Sequence, residues 1–147
     1  ILGEPVGTIL TEDAFLGQER GSIIVIVATD APLRPDQLSR LARRAAIGIS
    51  RSGTPGGNSS GDIFLAFSTA NGRPLPQFDT TVQTFRHLND EQMDPAYEAV
   101  VQATDEAILN AMLAAEPLTS IKPAGLVCRA LDGPAVTEVL RRAGKAD

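Results

Sequence analysis

The chain has 147 residues, enough for one domain with a core of its own. Its 43% hydrophobic and 21% charged content are those of a soluble globular protein, and no window approaches the ~18 consecutive apolar residues of a membrane-spanning helix. A net charge of −5 opposes a polyanion, so nucleic acid is not an expected partner, and without a spanning window neither is a membrane.

Ile1-Leu2-Gly3-Glu4-Pro5-Val6-Gly7 reads as the middle of a folded sequence. The chain is therefore expected to be a fragment or a section of a longer precursor; the expected location is cytoplasmic, with the true N-terminus not in the sequence. Residues 1–21 mix glycine and charge with short apolar pieces at Val6, Ile9-Leu10 and Phe15-Leu16. They predict a strand or loop that runs into an exposed, flexible tail over 17–21.

The first strong element follows. Every residue from 23 to 27 is apolar and β-branched, which predicts a strand over 22–29 buried on both faces. Ser22 stands just before that run, where a flexible glycine gives way to a rigid strand. It reads either as a small polar residue closing a loop or as a fixed, accessible hydroxyl. Pro35 and Asp36 suit the first turn of a helix running to about Ile49. Leu38, Leu41, Ala42, Ala45, Ala46 and Ile49 fall at helical spacing on it. Arg40, Arg43 and Arg44 lie toward the other side, which reads as a solvated face.

Residues 50–59 are dense in glycine and small polar residues but lack the Gly-Lys-Ser/Thr ending of a P-loop. They read either as a surface linker or as a loop whose backbone passes close to something. A second strand is predicted over 61–70, and Asn71-Gly72 turns the chain. Asp94-Pro95 is expected to cap the longest helix, to about Ala115, with Tyr97, Val100, Val101, Thr104, Ala107, Ile108, Ala111 and Met112 on one core face. Asp132 starts a last helix that ends at Gly144. The order of strands and helices predicts a layered α/β domain.

Cys128 cannot form an internal disulfide, being the single cysteine, and reads as a buried thiol. One cysteine and one histidine, His87, do not fill a zinc shell, so no metal is expected. Ser60 and Asp62 flank Gly61 at the start of the second strand. Residues two apart on a strand share a face, so this hydroxyl and carboxylate can join one hydrogen-bond network. The alternative is a turn serine beside a strand-entry aspartate.

Three blocks now fall together: Gly21-Ser22-Ile23-Ile24-Val25-Ile26-Val27-Ala28-Thr29-Asp30, Leu38-Ser39-Arg40-Leu41-Ala42-Arg43-Arg44-Ala45, and Ser60-Gly61-Asp62-Ile63-Phe64-Leu65-Ala66-Phe67-Ser68-Thr69-Ala70-Asn71. In this order, and continuing through Glu98-Ala99-Val100-Val101-Gln102-Ala103-Thr104-Asp105, the sequence resembles the self-processing aminopeptidases. These are the L-aminopeptidase D-amidase/esterases and the β-peptidyl aminopeptidases.

The resemblance implies a four-layer αββα sandwich like that of N-terminal-nucleophile hydrolases but differently connected. It implies a precursor cut at the Gly21–Ser22 bond, with residues 1–21 the tail of an α subunit and 22–147 a β subunit. Ser22 would be the nucleophile, and Ser60 with the acid two residues on would complete a relay. The family's acid is a glutamate and here it is Asp62, one methylene shorter. The implied partners are the rest of the α subunit, a peptide, amide or ester substrate, and further αβ units in a homotetramer; no cofactor is implied.

The residues support this chemistry independently. A serine needs a base, and an N-terminal serine brings its own α-amine, which titrates near ~7.7–8. Gly57, Asn58 and Ser59, just before Ser60, are candidates for backbone donors to an oxyanion or for substrate contact. An ornithine acetyltransferase-like enzyme of the same fold is the second reading, against which Ser22 counts because that group uses threonine. A binding domain that never cuts itself is the third.

Overall fold

The β-branched run forms strand β1, Ile24–Thr29, and the second apolar run forms β2, Ile63–Ser68. They pair in parallel, Ile24 opposite Ile63 and Thr29 opposite Ser68. A parallel pair needs a crossover, and the helix Pro35–Arg51 supplies it. The computed structural model describes residues 1–11, 21–74, 76–78 and 82–146. Most of the predicted flexible tail, 17–20, and the Phe15-Leu16 pair lie outside the described residues. The chain divides into two units, Arg20–Asp105 and Ile1–Glu19 with Glu106–Asp147.

In the first unit, the crossover helix starts where the sequence predicts. The Arg34 peptide N–H donates to Gln37 Oε1 at 2.9 Å, which secures the first turn. Gln37 is fully buried, yet its amide donates to the Leu88 carbonyl at 2.9 Å and to Asp90 Oδ1 at 2.8 Å. A buried amide is tolerable only when satisfied in this way. It ties the helix to the segment that ends in a 3₁₀ turn, Asp90–Gln92. Arg34 and Arg40 also bind Asp90. The hydrogen bonds from Gln37, Arg40 and Arg34 hold the Asp90 carboxyl well below the usual range, at about 2.

The arginine side is therefore not simply solvated. Arg44 lies over the Tyr97 ring at 4.3 Å, and Arg51 Nη1 approaches Asp105 at 4.0 Å.

The core of this unit comprises Leu33, Leu41, Ala45, Met93 and Val100, with Val25, Val27 and Phe64 reaching it from the strands. The helix before β2 crosses the long helix, Asp94–Leu113, at Gly48. A Cβ there would stand 2.6 Å from Thr104 Cβ and 2.7 Å from the Val101 carbonyl oxygen. Only glycine permits that approach. In chain order the helices are α1 (Val6–Ile9), α2 (Pro35–Arg51), α3 (Asp94–Leu113) and α4 (Gly133–Arg142).

The α/β class is as predicted, but among the described residues the strands are covered on one face only. Val25, Val27 and Phe64 face α2, while Ile24 (68% exposed), Ile26, Ile63, Leu65 and Phe67 (44%) line the opposite face. An unbroken apolar run cannot say which face has a partner, and α2 covers one side only. On α3 only Val100, Val101 and Thr104 are buried, and Asp94 is its first residue rather than its cap.

The second unit contains α1, where a strand or loop was expected, and a short antiparallel pair that the sequence does not predict. In that pair β3 (Leu118–Thr119) lies beside β4 (Val127–Cys128). Cys128 is exposed, against the expectation of a buried thiol, because both residues of this short strand are solvent-facing. Helix α4 is capped as expected, the Asp132 carboxylate accepting the Ala135 N–H at 3.0 Å. Among the described residues, no helix is long and apolar enough to cross a membrane.

Candidate active site

Parallel register decides what meets at the N-terminal ends of β1 and β2. Ile24 lies opposite Ile63, and the Ile63 N–H donates to the Ile23 carbonyl at 3.0 Å. Extending that register backwards brings Ile23 beside Asp62 and Ser22 beside Gly61. The hydrogen bonds agree. The Ile23 N–H donates to Asp62 Oδ1 at 3.1 Å, and the Gly61 N–H donates to Ser22 Oγ at 2.9 Å.

The expected same-face pairing of Ser60 and Asp62 is present: Ser60 Oγ donates to Asp62 Oδ1 at 2.5 Å. One carboxylate oxygen thus takes two donors, the hydroxyl and the peptide that follows Ser22. With its proton directed at Asp62, Ser60 keeps its lone pairs free to accept from another group. Ser22 is exposed, while Ser60 and Asp62 are half-buried. Among the described residues, the hydrogen bond at Ser22 Oγ comes from the Gly61 peptide rather than from Ser60. The sequence gives no sign of that contact, since it joins positions 39 residues apart through the strand register.

The loop before Ser60 ends in a turn closed by the Ser60 N–H on the Gly57 carbonyl at 2.9 Å. The turn delivers Ser60 to β2. Among the described residues, no hydrogen bond links Gly57, Asn58 or Ser59 to Ser22. His87 is engaged elsewhere: its Nδ1 lies 3.1 Å from Arg34 Nη1 and 2.9 Å from the Leu88 carbonyl, beyond the far end of β1. Neither strand therefore brings an imidazole to Ser22. A groove of about 620 Å³ in the other unit is lined by apolar side chains such as Leu109, Leu113, Val136 and Leu140 and by none of the site residues.

An exposed serine hydroxyl that accepts a peptide N–H, beside a hydroxyl–carboxylate pair, is suited to nucleophilic acyl transfer. Comparison with known proteins identifies the family. Residues 1–124 match the model of peptidase family S58. A β-peptidyl aminopeptidase, BapA, of Sphingosinicella microcystinivorans is 48% identical over 101 residues, which cover 69% of this chain and 25% of that protein. BapA of Sphingosinicella xenopeptidilytica is 42% identical over 107 residues, 73% of this chain and 27% of its own length.

Among solved structures, the L-aminopeptidase D-Ala-esterase/amidase of Ochrobactrum anthropi superposes with a TM-score of 0.89 at 47% identity. It is described as a prototype of the serine aminopeptidases and a new variant of the Ntn hydrolase fold, and the match covers 100% of this chain and 40% of that one. A Burkholderia sp. β-aminopeptidase superposes with a TM-score of 0.80 at 36% identity, covering 97% of this chain and 39% of that one. The chain thus spans about a quarter of the length of the curated relatives and two-fifths of the solved structures. On the family match and these likenesses, the chain belongs to peptidase family S58 and has the α/β fold of the Ntn-hydrolase-like aminopeptidases.

Proposed function

We propose that this chain carries the nucleophile-bearing part of a serine aminopeptidase that cuts its own precursor at Gly21–Ser22. The mature enzyme would then release N-terminal residues from peptides, amides or esters. The observation that carries this reading is the meeting of Ser22 Oγ, the Gly61 N–H, Ser60 and Asp62 at the adjacent starts of two paired strands. The names of the relatives, β-peptidyl aminopeptidase and L-aminopeptidase D-Ala-esterase/amidase, supply the substrate class.

Ser22 Oγ attacks the Gly21 carbonyl carbon and the peptide C–N bond breaks. The hydroxyl proton ends on the departing nitrogen, so the product is an ester with a free α-amine. Water then hydrolyses that ester, leaving a Gly21 carboxylate and restoring the Ser22 hydroxyl. In turnover the Ser22 α-amine takes the Oγ proton as Oγ attacks the substrate carbonyl, and passes it to the leaving amine. Water deacylates the serine. Ser60, with its own proton on Asp62, accepts a hydrogen bond from the Ser22 ammonium and holds it in place. Asp62 fixes both Ser60 and the Ile23 peptide.

The remainder of the precursor is the proposed partner. The open face of β1 and β2 is apolar, and a parallel sheet ordinarily has both faces covered. The length by which this chain falls short of its relatives is sufficient to supply that cover. Replacing Ser22 by alanine tests the central role: both scission and hydrolysis should stop, and retained peptidase activity would remove Ser22 from the mechanism.

A further inference from the structure

We infer that the Gly61 peptide N–H is a catalytic group of this site, one that stabilises the charge developing on Ser22 Oγ. The inference rests on Ser22 being the nucleophile and goes beyond it by naming the group that activates the oxygen.

Two observations meet at Gly61. Its N–H donates directly to Ser22 Oγ at 2.9 Å, and a Cβ built on it would stand 3.5 Å from the same oxygen. Its backbone does not adopt the left-handed region, so conformation does not demand glycine here. A Cβ at that distance makes ordinary van der Waals contact with the oxygen, so it is the N–H and not the missing side chain that marks this residue. The peptide N–H holds one Oγ lone pair in a fixed direction.

The hydrogen bond matters most where Oγ is most negative. During attack, Oγ loses its proton to the base as the Oγ–C bond forms and the carbonyl electron pair moves to its oxygen. During ester hydrolysis the Oγ–C bond breaks and Oγ departs with the electron pair until it regains a proton. A donor fixed on Oγ favours both steps, and a hydrogen bond to a charged oxygen is roughly twice as strong as a neutral one. Preorganised donors of this kind change rates by about 10²–10³ each. The β1–β2 register aims this donor, with no side chain to reorganise.

The test uses the full-length protein with glycolate in place of Gly61, which exchanges the N–H for an oxygen and adds no side chain. The expected result is a fall on the order of 10² in both the Gly21–Ser22 scission rate and kcat, with KM little changed. Wild-type rates in the glycolate protein beside an inactive Ser22→Ala would overturn this inference alone. Hydrolysis by Ser22→Ala would overturn both it and the proposed function. Should the glycolate protein fail to fold, the wild-type protein decides. Sulfonylation of Ser22 Oγ with phenylmethylsulfonyl fluoride should shift the Gly61 amide proton more than any other glycine amide of residues 20–105. An unmoved Gly61 resonance would overturn the inference.

Discussion

Asp62→Ala removes an acceptor that two donors share. The Ile23 N–H lies 3.1 Å from Oδ1 and the Ser60 hydroxyl 2.5 Å. A sheltered hydrogen bond to a charged acceptor contributes about 1.5–3 kcal/mol. Asp62 is only half-buried, and water would replace part of each bond, so the combined loss of stability is about 2 kcal/mol. Asp62→Asn keeps an oxygen acceptor and loses the charge, which halves the stability cost to about 1 kcal/mol. Activity should not follow the same order. If the carboxylate charge holds Ser60 ready to accept from the Ser22 amine, both variants lose on the order of 10² or more in scission and in kcat/KM. Denaturant unfolding at constant m reads stability, gel separation reads scission, and release of an amide chromophore reads turnover. An Asp62→Ala protein that cuts itself and turns over at wild-type rates would refute the reasoning.

Three further outcomes follow from named contacts. Ser60→Ala should fold and lose most activity; wild-type rates would reduce Ser60 to a turn residue. Gly48→Ala should gain about 1 kcal/mol in helix propensity. It should lose more than that to overpacking, about 2–3 kcal/mol, because the Val101 carbonyl oxygen 2.7 Å from the new Cβ is backbone that cannot rotate away, so the net change is destabilising. A variant as stable as wild type in urea would contradict that approach of α2 to α3. The Asp90 carboxyl, held at about 2 in the folded chain, contributes stability that is present above the unfolded value near ~3.9 and lost as pH falls toward the folded one. The sign follows because the unfolded chain binds more protons in that window. Urea midpoints of wild type and Asp90→Asn should converge from about pH 5 to about pH 2, and a constant gap would contradict it.

Much of this is legible in the sequence. The β-branched run at 23–27, the apolar spacing of α2 and the Asp132 cap each carry a local signal, and the elements stand close to where those signals put them. The Ser60–Asp62 bond was legible because a strand has period two. Other features depend on contacts that no local pattern encodes. The open face of β1 is one, since an all-apolar strand reads alike whether one or two faces are covered. The exposure of Cys128 is another, because a two-residue strand leaves almost no periodicity to read. The arginines of α2 looked solvated because Asp90, Tyr97 and Asp105 lie far along the chain from them. The Gly61 contact with Ser22 needed the register of two strands joined by a helix.

The most direct test of the account is the intact mass of the full-length protein under denaturing conditions. The account predicts two masses, the smaller belonging to a chain that begins at Ser22, and a single uncut mass in Ser22→Ala. One uncut mass in the wild-type protein after prolonged incubation would contradict self-processing and with it the proposed N-terminal serine chemistry.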